Sequence, residues 1–433
     1  MEMILSMFLS MTTRRSLYVL AAVAIVMIFC PIVEAATRVV TSTVDSDDVE
    51  CLRGAIGVAS SGDVISFDLG DDATITLTEG QLEIDKNLEI RGPGATDLTI
   101  DVAGSSRVLR ITSGVTVLIS GITITGGDLS ASIDDDDGAG VKNSGELTIR
   151  GCAISDNATL LGDGAGIWNN GSLIIERSIL ESNDALNGNG GGIYSYTGGD
   201  IKIFNTTIVS NTAQKLGGGI YSNGSLAINH STINENNSAK KGGGVYNNTP
   251  EIFCLKSSLI SGNTATGSYE NPYPDLNDFI SHGFNLIEDS GDCTIVPAGG
   301  LSSDIFGVDP MLGSLDYHGA ETRTVALLEG SPAIDSGSST DIDGNVVSTD
   351  QRGVSRPQGS GCDIGAFELV VEDPDDDDVA SDDTEDDDPE TPGESEDIIG
   401  GINSTTGGCQ AGPWGPGVLL LLVPLVFLLK SGR

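Results

Sequence analysis

One block repeats five times through the middle of the chain, at intervals of 25 to 27 residues. Its copies start at Gly140-Val141, Gly166-Ile167, Gly192-Ile193, Gly219-Ile220 and Gly244-Val245. Each carries an apolar pair about seven residues on (Leu147/Ile149, Leu173/Ile175, Ile201/Ile203, Leu226/Ile228, Phe253/Leu255). A single apolar residue follows (Ile154, Leu180, Ile208, Ile233, Ile260), and three positions later an Asn (Asn157, Asn183, Asn211, Asn236, Asn263). A fixed period in this range means stacked units, because a block of this size cannot bury its own apolar face alone.

The units are built of strands. Within each block the apolar residues are spaced by two, and no apolar stretch is long enough for a helix. One block reads as three short strands separated by Gly, Asn and Ser turns, the size of one coil of a right-handed parallel β-helix. Equivalent residues of successive coils then lie ~4.8 Å apart, so the columns become ladders. Val, Ile and Leu fill the bore, each contributing ~1.5 to 3 kcal/mol, which lets a chain with only 5% aromatic residues fold.

Three further columns invite a functional reading. The Asn column is expected to hydrogen-bond along the axis and to supply left-handed corner residues. Cys152, Ser178, Thr206, Ser231 and Ser258 form a small polar ladder. Lys142, Trp168, Tyr194, Tyr221 and Tyr246 each follow an inward aliphatic residue and so point outward. Stacking between coils accounts for them, and the aromatics are also the candidate contact surface for a glycan or a surface-protein partner.

Residues 63–125 keep the alternation, as in Leu88-Glu-Ile90 and Leu98-Thr-Ile100-Asp-Val102, without the Gly-Gly signature, and read as earlier coils of a solenoid spanning 63–300. In 37–62, Val49 to Ala59 has apolar groups at helical spacing. A short capping helix there would close the open end of the bore, as a soluble solenoid requires.

The ends read as addresses. Arg14-Arg15, the apolar run Leu17 to Cys30 and Val33-Glu34-Ala35-Ala36 have the three regions of a signal peptide over 1–36, with the mature chain starting near Thr37. Residues 372–397 hold 16 of the chain's 63 acidic residues and no Lys or Arg, so 371–407 reads as an extended, disordered stalk. The formal charge of −42 excludes a nucleic-acid role, since phosphate binding needs the opposite sign. Weakly held divalent cations, Ca²⁺ included, are the partners such a surface attracts. Residues 408–433, entered through Gly407, carry Gly408-Cys409 at their start, an uncharged run Val418 to Leu429, then Lys430 and Arg433. Twelve apolar residues are short for a transmembrane helix, and a membrane-anchoring sorting tail fits better.

That tail resembles the bacterial Synergist-CTERM type of sorting signal, which implies export and sorting machinery, retention at the cell surface or envelope, and processing at or near Cys409. The central blocks resemble polymorphic outer-membrane protein repeats, with Gly-Gly-[Ile/Val]-[Tyr/Trp] where that family has Gly-Gly-Ala-Ile. Cys51-Leu52-Arg53-Gly54-Ala55-Ile56 is similar to the segment that opens many surface β-helices. Asp309-Pro310-Met311-Leu312-Gly313, Ala326 to Gly337, Asp350-Gln351-Arg352-Gly353-Val354-Ser355-Arg356-Pro357 and Cys362 to Glu368 resemble the choice-of-anchor Q domain, here assigned to 301–370. The resemblance implies placement at the end of an exported ectodomain and no established chemistry. Many relatives have a Cys just before Asp-Gln-Arg-Gly, where Ser348-Thr349 stand here, which leaves Cys362 without that local disulfide partner.

An exported chain permits disulfides, and of Cys51, Cys152, Cys254, Cys293 and Cys362 the pair Cys254–Cys293 is expected to bridge. Enzymatic chemistry on such a scaffold needs clustered carboxylates for Ca²⁺ with a base, or paired carboxylates at hydrolytic spacing. Asp134 to Asp137 lie in a Gly- and Ser-flanked loop and read as a solvated insertion. Asp341-Ile342-Asp343-Gly344-Asn345 starts like a calcium loop, but Arg352 stands at its twelfth position. His230, His282 and His318 are scattered, with no nucleophile or metal spacing. The expectation is therefore an exported, surface-anchored, adhesin-like or structural ectodomain with no catalytic, cofactor or metal residues. A cell-surface polysaccharide lyase or glycoside hydrolase is the alternative.

Overall fold

In a computed structural model, the described residues are 35–370 without 104–105, 132–134, 250–252, 268–275, 292 and 299–302. Residues 1–34 of the signal-peptide segment, and the stalk and tail segments with Cys409, lie outside them.

The alternating columns form ladders of parallel strands. One coil is Val141–Asn143, Glu146–Arg150, Ala153–Ser155 and Ala158–Thr159. The three sheets read from the sequence are present among the described residues, with 7, 11 and 10 strands. A fourth, narrow sheet of six two-residue strands runs from Asp128–Leu129 to Thr264–Ala265 and was not legible, since two residues carry no period. The ladder also starts earlier than the alternation suggested: Thr37–Val40 pairs in parallel with the strand beginning at Asp63. At the other end Ile305–Phe306 pairs with Leu286–Ile287.

Period two puts every second side chain inside. Ile193, Ile203, Ile208 and Asn211 are all fully buried within one coil, and a single aliphatic cluster runs from Val40 to Ile287. The capping helix is Leu52–Val58, with Leu52, Ala55 and Ile56 turned to the bore. Gly54 is required there because a Cβ would lie 2.1 Å from the Asp48 carbonyl oxygen. Arg53 pins the cap to the next coil by an ion pair to Asp45 at 2.7 Å and hydrogen bonds to the Gly80 and Gln81 carbonyls.

The corners differ from expectation in one respect. The left-handed residue is the one before each Asn: Asp156, Ser182, Ser210 and Glu235 have φ of 54 to 56°. The Asn turns inward instead, each Nδ2 donating to the next Asn Oδ1 at 2.9 Å from Asn157 through to Asn263. The small polar column is a second ladder, in which the Cys152, Ser178 and Thr206 amides donate to the hydroxyl one coil on. Both satisfy buried polar groups that would otherwise cost ~1 to 3 kcal/mol apiece.

After Phe306 the chain leaves the solenoid. Leu312–Asp316 and Thr324–Leu327 pair antiparallel, and the loops that follow lie across the outer face of the ten-stranded sheet. Leu327, Ala333, Ile364 and Phe367 bury against Leu259 and Leu286 of that sheet. The motif residues of this segment form a charged lock. Arg356 pairs with Glu368 at 3.0 Å, with both side chains fully buried, and Arg356 also donates to the Asp363 and Gly365 carbonyls. Fully buried Asp350 accepts from Arg352, whose guanidinium stacks 3.6 Å from the Phe367 ring. Gln351 ties the lock down, accepting from Thr207 Oγ1 at 2.7 Å.

Candidate functional site

Three places on the solenoid carry groups that chemistry could use. The first is the aromatic column. Register aligns Trp168, Tyr194, Tyr221 and Tyr246 as read from the sequence. Tyr194 stacks on Tyr221 with centroids 5.0 Å apart, and Tyr221 on Tyr246 at 5.8 Å. Trp168 breaks the run: its ring tilts against Tyr196 at 6.1 Å, and Lys142 Nζ lies 4.6 Å from its centroid on the other side. The column points outward yet is only half exposed, and Tyr194 is buried. Left-handed glycines of the adjacent corners cover it; a Cβ on Gly164 would meet the Tyr194 Cβ at 2.9 Å. Burial first, then the Asp163 charge, push the Tyr194 hydroxyl well above its usual range. Tyr196, which the column pattern does not pick out, is 49% exposed.

The second is the acidic corner beside that column. Asp135 and Asp137 both pair with Lys142, and buried Arg107 donates to the Asp135 and Asp137 carbonyls. Burial raises the Asp135 carboxyl, but the Lys142 hydrogen bond and the Arg107 charge outweigh it and hold the group below the ordinary carboxylate range. Asp136 accepts from the Leu161 amide, Asp137 from the Asp163 amide, and Asp163 from the Asn189 amide. The cluster is thus an axial staple between loops rather than a solvated insertion. Asp134 lies outside the described residues.

The third is the junction between the solenoid and the C-terminal segment. A cleft of about 470 Å³ is lined by Arg150, Glu176, Arg177 and Asn205 on the solenoid side and by Asp341 and Asn345 to Thr349 on the other. A second, of about 300 Å³, shares Arg150 and Arg177 and continues past Gly121 to Glu321 and Arg352. No sequence signal marked these arginines, because the opposing wall comes from residues more than 140 positions away.

Other sequence candidates are placed singly. Asp341 accepts from the Asn345 amide and side chain, closing a turn on itself, while Asp343 pairs with exposed Lys202. Cys254 carries a free thiol, so the expected bridge to Cys293 is absent. Cys254 faces outward on the eleven-stranded sheet and Cys293 packs against the bore. His230 is buried, its Nε2 2.7 Å from the Ser338 carbonyl, and His318 lies edge-on to Phe367. Among the described residues no group of three or more His, Cys, Asp or Glu is arranged to hold a metal ion. Nor is any helix there long and apolar enough to cross a membrane.

Residues 86–296 match the family model described as right-handed β-helix region. The chain is a right-handed parallel β-helix. No curated protein matches it. Among solved structures, a pectate lyase, Pel9A, is similar at 12% identity and a TM-score of 0.37, covering 77% of this chain and 97% of that one. The Aspergillus niger pectin methylesterase in deglycosylated form is similar at 12% identity and a TM-score of 0.29, covering 63% of this chain and 83% of that one. Similarities this distant carry neither activity nor substrate to this β-helix.

Proposed function

We propose that this β-helix is an exported ectodomain, held at the cell surface by its C-terminal tail, that serves as a rigid adhesin-like or structural display body rather than as an enzyme. The observation that carries the reading is the use of its polar side chains. The Asn and hydroxyl columns are consumed in axial hydrogen bonds, and the acidic corner is bonded to Lys142, Arg107 and loop amides. Groups spent in this way hold a shape; general acid–base work needs a carboxylate or imidazole within reach of a substrate proton. One outward surface is the half-buried aromatic flank of Trp168, Tyr221 and Tyr246, stacked on buried Tyr194 and with exposed Tyr196 beside it, suited to a glycan or a partner protein.

Two measurements test this. The full chain, incubated with pectin and alginate with and without Ca²⁺, should release no unsaturated or reducing ends above a heat-killed control; release would make it an enzyme. Deleting residues 408–433 should move a folded protein out of the membrane fraction. If Cys409→Ala does the same, the tail is processed at that thiol; full retention with unchanged mass would assign anchoring to the apolar run alone.

A further inference from the structure

Among the described residues the fold takes its first hydrogen bonds at Ala36. Ala35 is exposed and enters none. Ala36 enters two: its N–H donates to Asp63 Oδ1 at 2.9 Å, and its carbonyl accepts from the Val64 amide at 2.9 Å. Asp63 is buried at the start of the strand Asp63–Phe67. Its Oδ2 accepts from the Ser60 amide and from Arg38 Nε, both at 2.9 Å. The Ser60 amide first, then the Ala36 amide, hold this carboxyl below the ordinary carboxylate range. One buried carboxylate therefore grips the edge strand Thr37–Val40 at its entry and again at Arg38, and among the described residues Ala36 is the sole donor to its Oδ1.

These bonds discriminate between the two places where a leader could end. Cleavage after Ala36 would remove both of its bonds and leave Asp63 Oδ1 and the Val64 N–H without partners. Cleavage after Ala35 removes neither, and it turns the Ala36 nitrogen from a neutral amide into an ammonium facing a carboxylate, a stronger, charge-assisted bond. The small-residue pattern of leader cleavage agrees: a cut after Ala35 has uncharged Val33 two positions before it, where a cut after Ala36 would have Glu34. We infer that the peptidase that removes export leaders cuts the Ala35–Ala36 bond, and that the new α-ammonium of Ala36 pairs with Asp63 and locks the first strand of the solenoid. The step is a hydrolysis. Water adds its oxygen to the Ala35 carbonyl carbon, the C–N bond breaks, Ala35 leaves as a carboxylate, and both water protons end on the Ala36 nitrogen. The inference rests on the export reading and fixes where the mature chain begins.

The site of cleavage is tested by N-terminal sequencing and intact mass of the protein taken from its native source. The first residue should be Ala36. A start at Thr37, or at any other cut, would overturn the assignment and leave export standing; a chain that keeps its leader would overturn both. The pairing is tested by hydrogen exchange on the full mature chain, with its terminus free and with it Nα-acetylated, since acetylation keeps the N–H and removes the charge. The Val64 amide, which donates to the Ala36 carbonyl, should exchange about fivefold more slowly in the free form, the difference between a charged and a neutral donor on a carboxylate. Asp63→Asn should abolish that difference. Equal exchange in the free and acetylated forms would overturn the pairing, and this comparison stands even if Asp63→Asn does not fold. A difference that survives in a folded Asp63→Asn chain would overturn it too, because the charge would then be acting on another group.

Discussion

In the coil built by residues 193–213 the interior polar groups are neutral, and each bonds to its own counterpart one coil away: Asn211 gives to Asn236 and takes from Asn183. In residues 350–368 they are charged, and each bonds to something unlike itself: Arg356 to Glu368, Arg352 to Asp350, Asp363 to the Asp335 and Leu369 amides. Repetition lets a coil lose one member and keep the ladder on either side. The charged lock has no spare copies, and removing one partner strands the other in low dielectric. The solenoid should therefore fail by propagation from a core defect, and the C-terminal segment by detachment as a piece.

The largest effect is expected from Ile203→Asp, which puts an unpaired carboxylate into the bore at a cost of at least ~4 kcal/mol. Thermal unfolding should shift strongly, and hydrogen exchange should open the neighbouring coils; unchanged unfolding would remove the register assigned to Ile203. Next comes Glu368→Ala, which leaves buried Arg356 without its counter-charge at a cost of ~3 to 5 kcal/mol. Exchange protection should be lost across 323–368 and kept in the bore; loss in both regions together would show that the two do not differ as argued.

The third prediction concerns pH. Burial first, and the Arg356 charge second, push the His230 imidazole down to about 4, against an ordinary value of 6.5. Above 6.5 the folded and unfolded chains both hold it neutral. Between 6.5 and about 4 only the unfolded chain takes up the proton, so stability falls as the pH falls. His230→Asn keeps a residue that tolerates φ of 46°. Its deficit relative to the unsubstituted protein should shrink by about 2 kcal/mol between pH 7.5 and 4.5, and a constant gap would show that His230 is not held neutral. The smallest effect is Tyr221→Ala, which removes two stacking contacts from a half-buried column. A loss of ~1 to 2 kcal/mol is expected, and a collapse like that of Ile203→Asp would make the column part of the core.

The repeat was legible because the parallel β-helix converts sequence period directly into contact. Leu147, Leu173, Ile201, Leu226 and Phe253 had to meet once the strands were parallel and in register. The capping helix was legible from its spacing, and Arg53 only as part of a motif until its carbonyl partners at Gly80 and Gln81 were seen. The fate of Asp135 and Asp137 was not legible, because their partners Lys142 and Arg107 acquire meaning only when corners of different coils are brought together. The contact of Trp168 with Tyr196, two positions beyond its column neighbour Tyr194, was likewise not legible, since Tyr196 belongs to no repeated column.

By itself the sequence determined a stack of coils with an aliphatic bore, an amide ladder and a hydroxyl ladder, since each is a local pattern repeated at one period. Tertiary structure alone decided where the non-repeating residues 307–370 lie, because no period links Gln351 to Thr207 or Thr349 to Asn205. That docking covers the ten-stranded sheet, buries the charges of the motif and forms the second wall of the arginine cleft. A cleft between a repeating and a non-repeating surface has no signature in either one, because it exists only in the distance between them.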